Sequence, residues 1–317
     1  MILVTGGAGF VGSNLVAGLN RNGVTDVLVV DNLRSADKRP NLGAIRFTEY
    51  VDKDELLPLL EGGKFGATIE AVLHQGACTD TMATDSAYVM RNNTEYSKTL
   101  LKYALERRIP FIYASSASVY GNRGVCAERP EHEEPLNLYA RSKLAFDQHV
   151  RQVLGRVSST VVGLRYYNVY GPREAHKGRM ASMVWQLYRQ LRERGEMRLF
   201  AASGGYTDGE QRRDFIWVGD VVDVNLFFLD GPARQGIFNT GTGASRTFND
   251  IARNLLKHHG AGKVSYIPFP QELEGKYQSF TQADVTALRA AGYDRAFTSL
   301  EDGVASYWAA VERPATG

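Results

Sequence analysis

Tyr139 and Lys143 stand four residues apart in the stretch YARSK. On a helix that spacing puts both on one face. A lysine ammonium beside a phenol favours the phenolate, so Tyr139 can act as acid and base near neutral pH. Ser116, in SSASVYG after an apolar run, can hydrogen-bond the same substrate oxygen. A second group lies in RYYNVYGPREAHKGRM, where Arg173, His176, Lys177 and Arg179 crowd the loop after the Gly171–Pro172 turn. That much charge clamps a phosphate, faces solvent, or includes a residue that does chemistry.

TGGAGFVG sets Gly6, Gly9 and Gly12 directly after an apolar run and at the start of a helical pattern. A dinucleotide fingerprint needs that context: a tight turn, close approach to pyrophosphate, and an anion at a helix N-terminus. Asp31 ends the second apolar run and can accept from the adenosine ribose hydroxyls, which favours NAD. Arg34, Lys38 and Lys53 follow, and cations near a ribose suit a 2′-phosphate. The expected cofactor is NADP, with NAD also accepted.

These residues sit on a regular alternation. ILVT (2–5), VLVV (27–30), IRFTEY (45–50), AVLH (71–74), PFIYAS (110–115) and TVVGLR (160–165) read as strands. Between them run helical patterns such as FVGSNLVAGLNRNG, the stretch after Asn93, and NLYARSKLAFDQHVRQVLG. Such alternation predicts an α/β fold, a Rossmann-type doubly wound parallel sheet covered on both faces. We place this NADP-binding domain at residues 1–170, with a return near 213–245. Residues 171–317 are then mainly a smaller, interleaved C-terminal substrate-binding lobe. There, Gly195 is expected to end a helix and Thr247 with Asp250 to cap another.

Composition narrows the function. The 317 residues carry 37 basic and 35 acidic side chains, a net charge of +2, so nothing pulls the chain toward nucleic acid or a membrane. Two cysteines exclude a disulfide framework and a cysteine-rich metal site. The six histidines are scattered, with His258–His259 expected to be exposed, so no metal is expected. No long apolar stretch or basic leader is read, and the expected location is cytoplasmic.

Together the glycine fingerprint, Ser116, the Tyr139–Lys143 pair and the YYNVYGPRE turn resemble the extended short-chain dehydrogenase/reductases, the nucleotide-sugar epimerases and dehydratases. VTGGAGFVGSNLV, DNL, HQGAC, NVYGPREAHKGRMASM, QRRDFIWVGDVV, FNTGTG and GKYQSFTQAD resemble more closely the branch that epimerises ADP-heptoses at C6. That similarity runs over essentially the whole chain. It implies inversion by transient oxidation and reduction with tightly held NADP, an ADP-heptose substrate, and a role in lipopolysaccharide core supply. It also implies a ring-like homo-oligomer, a pentamer.

Two acid/bases are implied, Tyr139 for one epimer and Lys177 for the other, with Ser116 and Lys143 assisting. Desolvation and the neighbouring Arg173 and Arg179 are expected to lower the pKa of Lys177. Implied cofactor contacts are Phe10, Val11, Asp31, Asn32, Lys38, Lys53, Gln75, Gly76, Ala77, Cys78, Thr79, Asn92, Lys143, Val169 and Lys177. Implied substrate contacts are Asn168, Arg179, Gln186, Phe200, Ala201, Ala202, Ser203, Arg213 and Tyr277. Position 186 is Gln where relatives often have His. Other readings are a UDP-hexose 4-epimerase, a 4,6-dehydratase and a non-catalytic NADP sensor; Lys177 as a phosphate clamp and Arg213–Asp214 as a surface ion pair also stay open.

Overall fold

Strands that are apolar on both faces need cover on both, and helices supply it here. The structure is a computed structural model that describes residues 1–34, 36–43, 45–271 and 278–312. Strands β1 (Ile2–Thr5), β2 (Val27–Asp31), β3 (Glu49–Asp52), β4 (Ala71–His74) and β5 (Phe111–Ser116) come first. Among them lie α1 (Phe10–Arg21), α2 (Arg39–Gly43), α3 (Lys53–Glu61), α4 (Ser86–Met90) and α5 (Tyr96–Arg107). Then follow β6 (Val125–Cys126), α6 (Leu138–Arg151), β7 (Val161–Tyr166), β8 (Asn168–Tyr170), α7 (Met183–Arg194) and β9 (Glu196–Phe200). The remainder is β10 (Arg212–Trp217), α8 (Val218–Leu229), β11 (Gln235–Thr240), β12 (Ser245–Thr247), α9 (Phe248–His259) and β13 (Lys263–Ile267). It ends with β14 (Gln282–Ala283), α10 (Thr286–Ala290) and α11 (Leu300–Glu312).

Seven of the described strands form one parallel sheet, in the order β11-β7-β5-β4-β1-β2-β3. Successive residues of each strand face opposite cores. Leu3, Leu28, Val72 and Phe111 pack with Leu56 of α3, Leu100 of α5 and Phe146 of α6. Val4, Val29, Leu73 and Ile112 pack with Leu15 of α1 and Val222 of α8 on the other side. The doubly wound Rossmann-type fold is thus observed. Its order reverses beside β1, which β2 and β4 flank, and a crevice opens beyond the carboxyl ends of those strands.

Smaller sheets carry the rest: β12-β10-β8, β13-β9 and β14-β6. A third core joins Val184 and Leu187 of α7, Leu199 of β9, Ile251 of α9 and Val304 of α11. The chain crosses between the two parts repeatedly, since β10 pairs with β8 while α8 and β11 lie on the large sheet.

Local signals hold where capping chemistry decides. Thr247 accepts from the Asp250 amide while the Asp250 carboxylate accepts from the Thr247 amide, and Gly195 ends α7 at φ 65°. Three expectations are corrected. The third strand is Glu49–Asp52 rather than 45–50, because Ile45 turns into the core beside α1 instead of pairing. The helix expected after Asn93 begins at Ser86, capped by Asp85, and passes through a π-helical turn at Arg91–Glu95. His258 and His259 are half-buried against the Trp308 ring rather than exposed.

Candidate active site

The glycines after β1 stand where no side chain fits. A Cβ on Gly12 would come 2.1 Å from the Gly6 carbonyl oxygen, and one on Gly6, at φ 65°, 2.8 Å from the Gly76 amide nitrogen. The glycines thus let the turn and the start of α1 pack closely, a backbone arrangement that fits a pyrophosphate. It opens on a cavity of about 470 Å³ walled by Gly6, Gly9, Phe10, Val11, Gly12, Asp31, Asn32, Lys38, Lys53, Gln75, Gly76, Ala77, Cys78, Thr79, Asn92 and Lys177. Nearly every expected cofactor residue thus comes together; Lys143 and Val169 lie in the adjoining cavity.

The buried Asp31 carboxylate accepts from the amides of Ala8 (3.0 Å) and Asn32 (2.7 Å) and from Lys38 Nζ (2.9 Å). Lys53 Nζ donates to Asn92 Oδ1 (2.6 Å). Both lysines therefore stand in the cavity wall, each held by a polar partner. Arg34 does not: exposed, it pairs with Asp54 outside the wall. The π-helical turn aims its two asparagines differently, Asn92 toward the cavity and Asn93 into the loop after β4. Asn93 exchanges both hydrogen bonds with the Cys78 backbone (2.7 and 2.9 Å).

A second cavity, of about 490 Å³, holds Ser116, Tyr139, Lys143, Asn168, Val169, Lys177, Phe200 and Arg213. Phe10, Val11, Gln75, Ala77, Thr79, Lys177 and Met180 wall both cavities, so the two form one cleft. Helix α6, capped by the Asn137 side chain on the Ala140 amide (2.9 Å), presents Tyr139 and Lys143 together. Lys143 Nζ donates to the Ala114 carbonyl (2.7 Å) and lies 5.9 Å from the Tyr139 ring centre. Burial pushes this lysine down to about 8, with Asp147 pulling the other way. Burial holds the Tyr139 phenol above its ordinary value, and a hydrogen bond with Ser116 opposes that.

Lys177 lines the same cavity, its Nζ 5.4 Å from the centre of the Phe10 ring. Loss of hydration lowers its pKa and Glu174 opposes that. The expected help from flanking arginines is corrected. Arg173, at φ 74°, turns away to the Ser13 carbonyl (2.7 Å), and exposed Arg179 pairs with Asp80 (3.2 Å) on the rim of the cofactor cavity.

Arg213 is buried, donates to the Arg212 carbonyl (3.0 Å) and stacks over Phe248 (5.7 Å). Asp214 is fully buried and accepts from Thr242, Gly243 and Ala283, so a surface ion pair is not what these two make. Ala201, Ala202 and Ser203 do not line this cavity; Gln211 Nε2 ties the Ala201 carbonyl (3.1 Å) to the Ser203 hydroxyl (2.8 Å). Gln186 also stands back, donating to the Gly178 carbonyl (2.6 Å). Tyr277 lies outside the described residues. Sequence reasoning missed Arg198, Gln211, Phe248 and, on the cofactor side, Tyr88 in the walls, and it gave His176 no part in one. Period-two reading of β9 would have found Arg198, which shares the Phe200 face while Met197 and Leu199 are buried.

Among the described residues no helix is long and apolar enough to cross a membrane. Residues 2–241 match the model of the NAD dependent epimerase/dehydratase family. A curated relative, the ADP-L-glycero-D-manno-heptose-6-epimerase of Alkalilimnicola ehrlichii, is 56% identical over 311 residues, 98% of this chain and 97% of that one. Among solved structures, the ADP-L-glycero-D-manno-heptose-6-epimerase of Helicobacter pylori is similar at TM-score 0.86 and 34% identity, covering 98% of this chain and 95% of that one. The Thermus thermophilus UDP-glucose 4-epimerase, solved with NAD, is similar at TM-score 0.78 and 27% identity, covering 98% and 99%.

Proposed function

The chain belongs to the NAD dependent epimerase/dehydratase family, and from that premise we propose that it interconverts the D-glycero and L-glycero forms of ADP-glycero-β-D-manno-heptose by inverting C6. We propose NADP as its resident cofactor and supply of heptose for the lipopolysaccharide core as its purpose. The names of its relatives support the substrate. The observation that carries the reading is that Tyr139 and Lys177, from two different elements, wall one cleft.

A sugar-alcohol stereocentre has no acidic C–H, so a base alone cannot invert it. A bound NADP would supply the hydride acceptor, and then the donor, that such an inversion needs. The chain does the rest. Amides at the start of α1 bind the pyrophosphate, and Lys38 and Lys53 meet a 2′-phosphate beside an Asp31 already neutralised by Lys38. Lys143 holds the nicotinamide ribose and orients Tyr139. Arg213, fixed over Phe248, grips the diphosphate of the substrate.

With ring and nucleotide anchored, only the short C6–C7 arm turns, and the oxygen on C6 then lies on a different side for each epimer. One acid/base cannot reach both positions. Tyr139 Oη moves the proton for one epimer, with Ser116 bonded to the same oxygen, and Lys177 Nζ moves it for the other. Desolvation suits the lysine to that task, since a lowered pKa supplies its neutral form nearer working pH.

The test is direct. Purified protein incubated with ADP-D-glycero-β-D-manno-heptose should show the C6 epimer by proton NMR and leave UDP-glucose unchanged. Conversion of UDP-glucose instead, or net build-up of NADPH, would defeat the reading.

A further inference from the structure

Lys177 lies in a short, kinked 3-10 segment, Ala175–Met180, between β8 and α7. The chain leaves β8 at Tyr170 and enters α7 at Met183, and the stretch between breaks its helical path at Gly178 (φ 53°). A base on such a stretch is useful only if something holds it. Three residues earlier lies Glu174, 1% exposed. Its Oε1 accepts from the Gly171 amide (3.3 Å), the Ser182 hydroxyl (2.8 Å) and the Tyr307 hydroxyl (3.0 Å), and its Oε2 from the Ser182 amide (2.5 Å). One carboxylate thereby closes the stretch at both ends. Its own backbone carbonyl accepts from the Lys177 amide (2.9 Å).

We infer that Glu174 is a positioning residue for Lys177, and that Tyr307 on the C-terminal helix anchors it, so that α11 takes part in placing the second acid/base. Ser182 caps α7 through the Trp185 amide (3.2 Å), which makes the far end of the stretch rigid. Tyr307 is buried in the core between α7, α9 and α11, so the tie runs to the most solid part of the smaller lobe. Burial raises the Glu174 carboxyl above its ordinary value, and the donors on Ser182 and Gly171 oppose that. As a carboxylate, Glu174 raises the proton affinity of Lys177. Other charged groups facing this corner are His176, on the same stretch, and Lys38 with Asp31 across the cofactor cavity.

This rests on Lys177 being an acid/base, so its test must separate the two. Tyr307→Phe removes one donor and nothing else, and the full-length protein is compared in wild-type and Lys177→Met backgrounds. In the first, kcat should fall on the order of 10-fold, as when a reacting group is let slip by a fraction of an ångström, with KM little changed and NADP retained. In the Lys177→Met background the same change should have no further effect. Glu174→Gln should lower kcat more and move the Lys177 limb of the pH–rate profile to lower pH. An equal fall in both backgrounds, with the limb unmoved, would make Glu174 and Tyr307 supports of the fold only. If Glu174→Gln does not fold, the Tyr307 cycle still decides. If Lys177→Met alone leaves kcat intact, Lys177 is no acid/base and both readings fail together. If Lys177→Met is slow and Tyr307→Phe is not, only this inference falls.

Discussion

Lys38 donates to Asp31 across 2.9 Å, so the acid at the end of β2 is met by a cation on the wall it shares. A bare carboxylate would repel a 2′-phosphate, and the paired one does not. Lys38→Ala should therefore weaken NADP much more than NAD. The loss of a charge-assisted bond is ~1.5–3 kcal/mol, roughly 10- to 100-fold in Kd. Fluorescence titration of cofactor-stripped protein with each nucleotide measures it. Equal weakening of both would return Lys38 to a surface role.

Removing either proposed acid/base should slow epimerisation by roughly 10²- to 10⁴-fold, about 3–5 kcal/mol of barrier. Tyr139→Phe and Lys177→Met should both keep the fold and the cofactor. The sharper readout is directional. With Lys177→Met, bound NADP should be reduced in a single turnover by one epimer and hardly at all by the other. A raised KM with unchanged kcat would make Lys177 a phosphate clamp.

Burial pushes Lys143 down to about 8, so its cation disappears as pH rises through that value. The charge that orients Tyr139 goes with it, and kcat/KM should decline with a midpoint near about 8. Stability moves the opposite way. Between about 8 and the ordinary 10.5 the unfolded chain binds the proton that the native state has lost, so the fold gains stability as pH rises there. A Lys143→Met variant should lose both slopes, the first by steady-state rates and the second by urea unfolding.

His74 is buried between Thr5 Oγ1 (2.6 Å) and Ser97 Oγ (2.7 Å), and burial near Lys143 pushes it down to about 3. It is neutral in the native state, while the unfolded chain protonates it from the ordinary 6.5 downward. Stability carried by the neutral ring is therefore present above 6.5 and lost progressively toward 3, on the order of a few kcal/mol in all. The urea midpoint should fall between about pH 7 and about pH 5, and His74→Gln should flatten that fall. An unchanged slope in the variant would assign the acid sensitivity elsewhere.

Much of this was legible because parallel strands buried on both faces read as unbroken apolar runs; Val161, Val162 and Leu164 are each wholly buried. Tyr139 and Lys143 were legible for a related reason, since helical spacing alone puts them side by side. Loops gave no such guarantee. Arg34, Arg173 and Arg179 share segments with Lys38 and Lys177, yet each is drawn outward or aside by a partner far along the chain or on another element: Asp54, the Ser13 carbonyl and Asp80. Glu174 escaped notice entirely. No local pattern marks a carboxylate whose burial depends on a tyrosine in the last helix.

The large sheet also has a history in time. Its edge strand β11 pairs with β7 along the whole register from Val161↔Gln235 to Tyr166↔Thr240, yet the chain builds β8, α7, β9, β10 and α8 before β11 exists. During synthesis β7 therefore emerges with one side unpaired and waits while the second lobe is made. An apolar strand in that condition is a template for another chain. Slow translation or premature termination between β7 and β11 thus exposes a sticky edge that the finished enzyme never shows. The hazard belongs to the nascent chain, and it ends when Gln235–Thr240 docks.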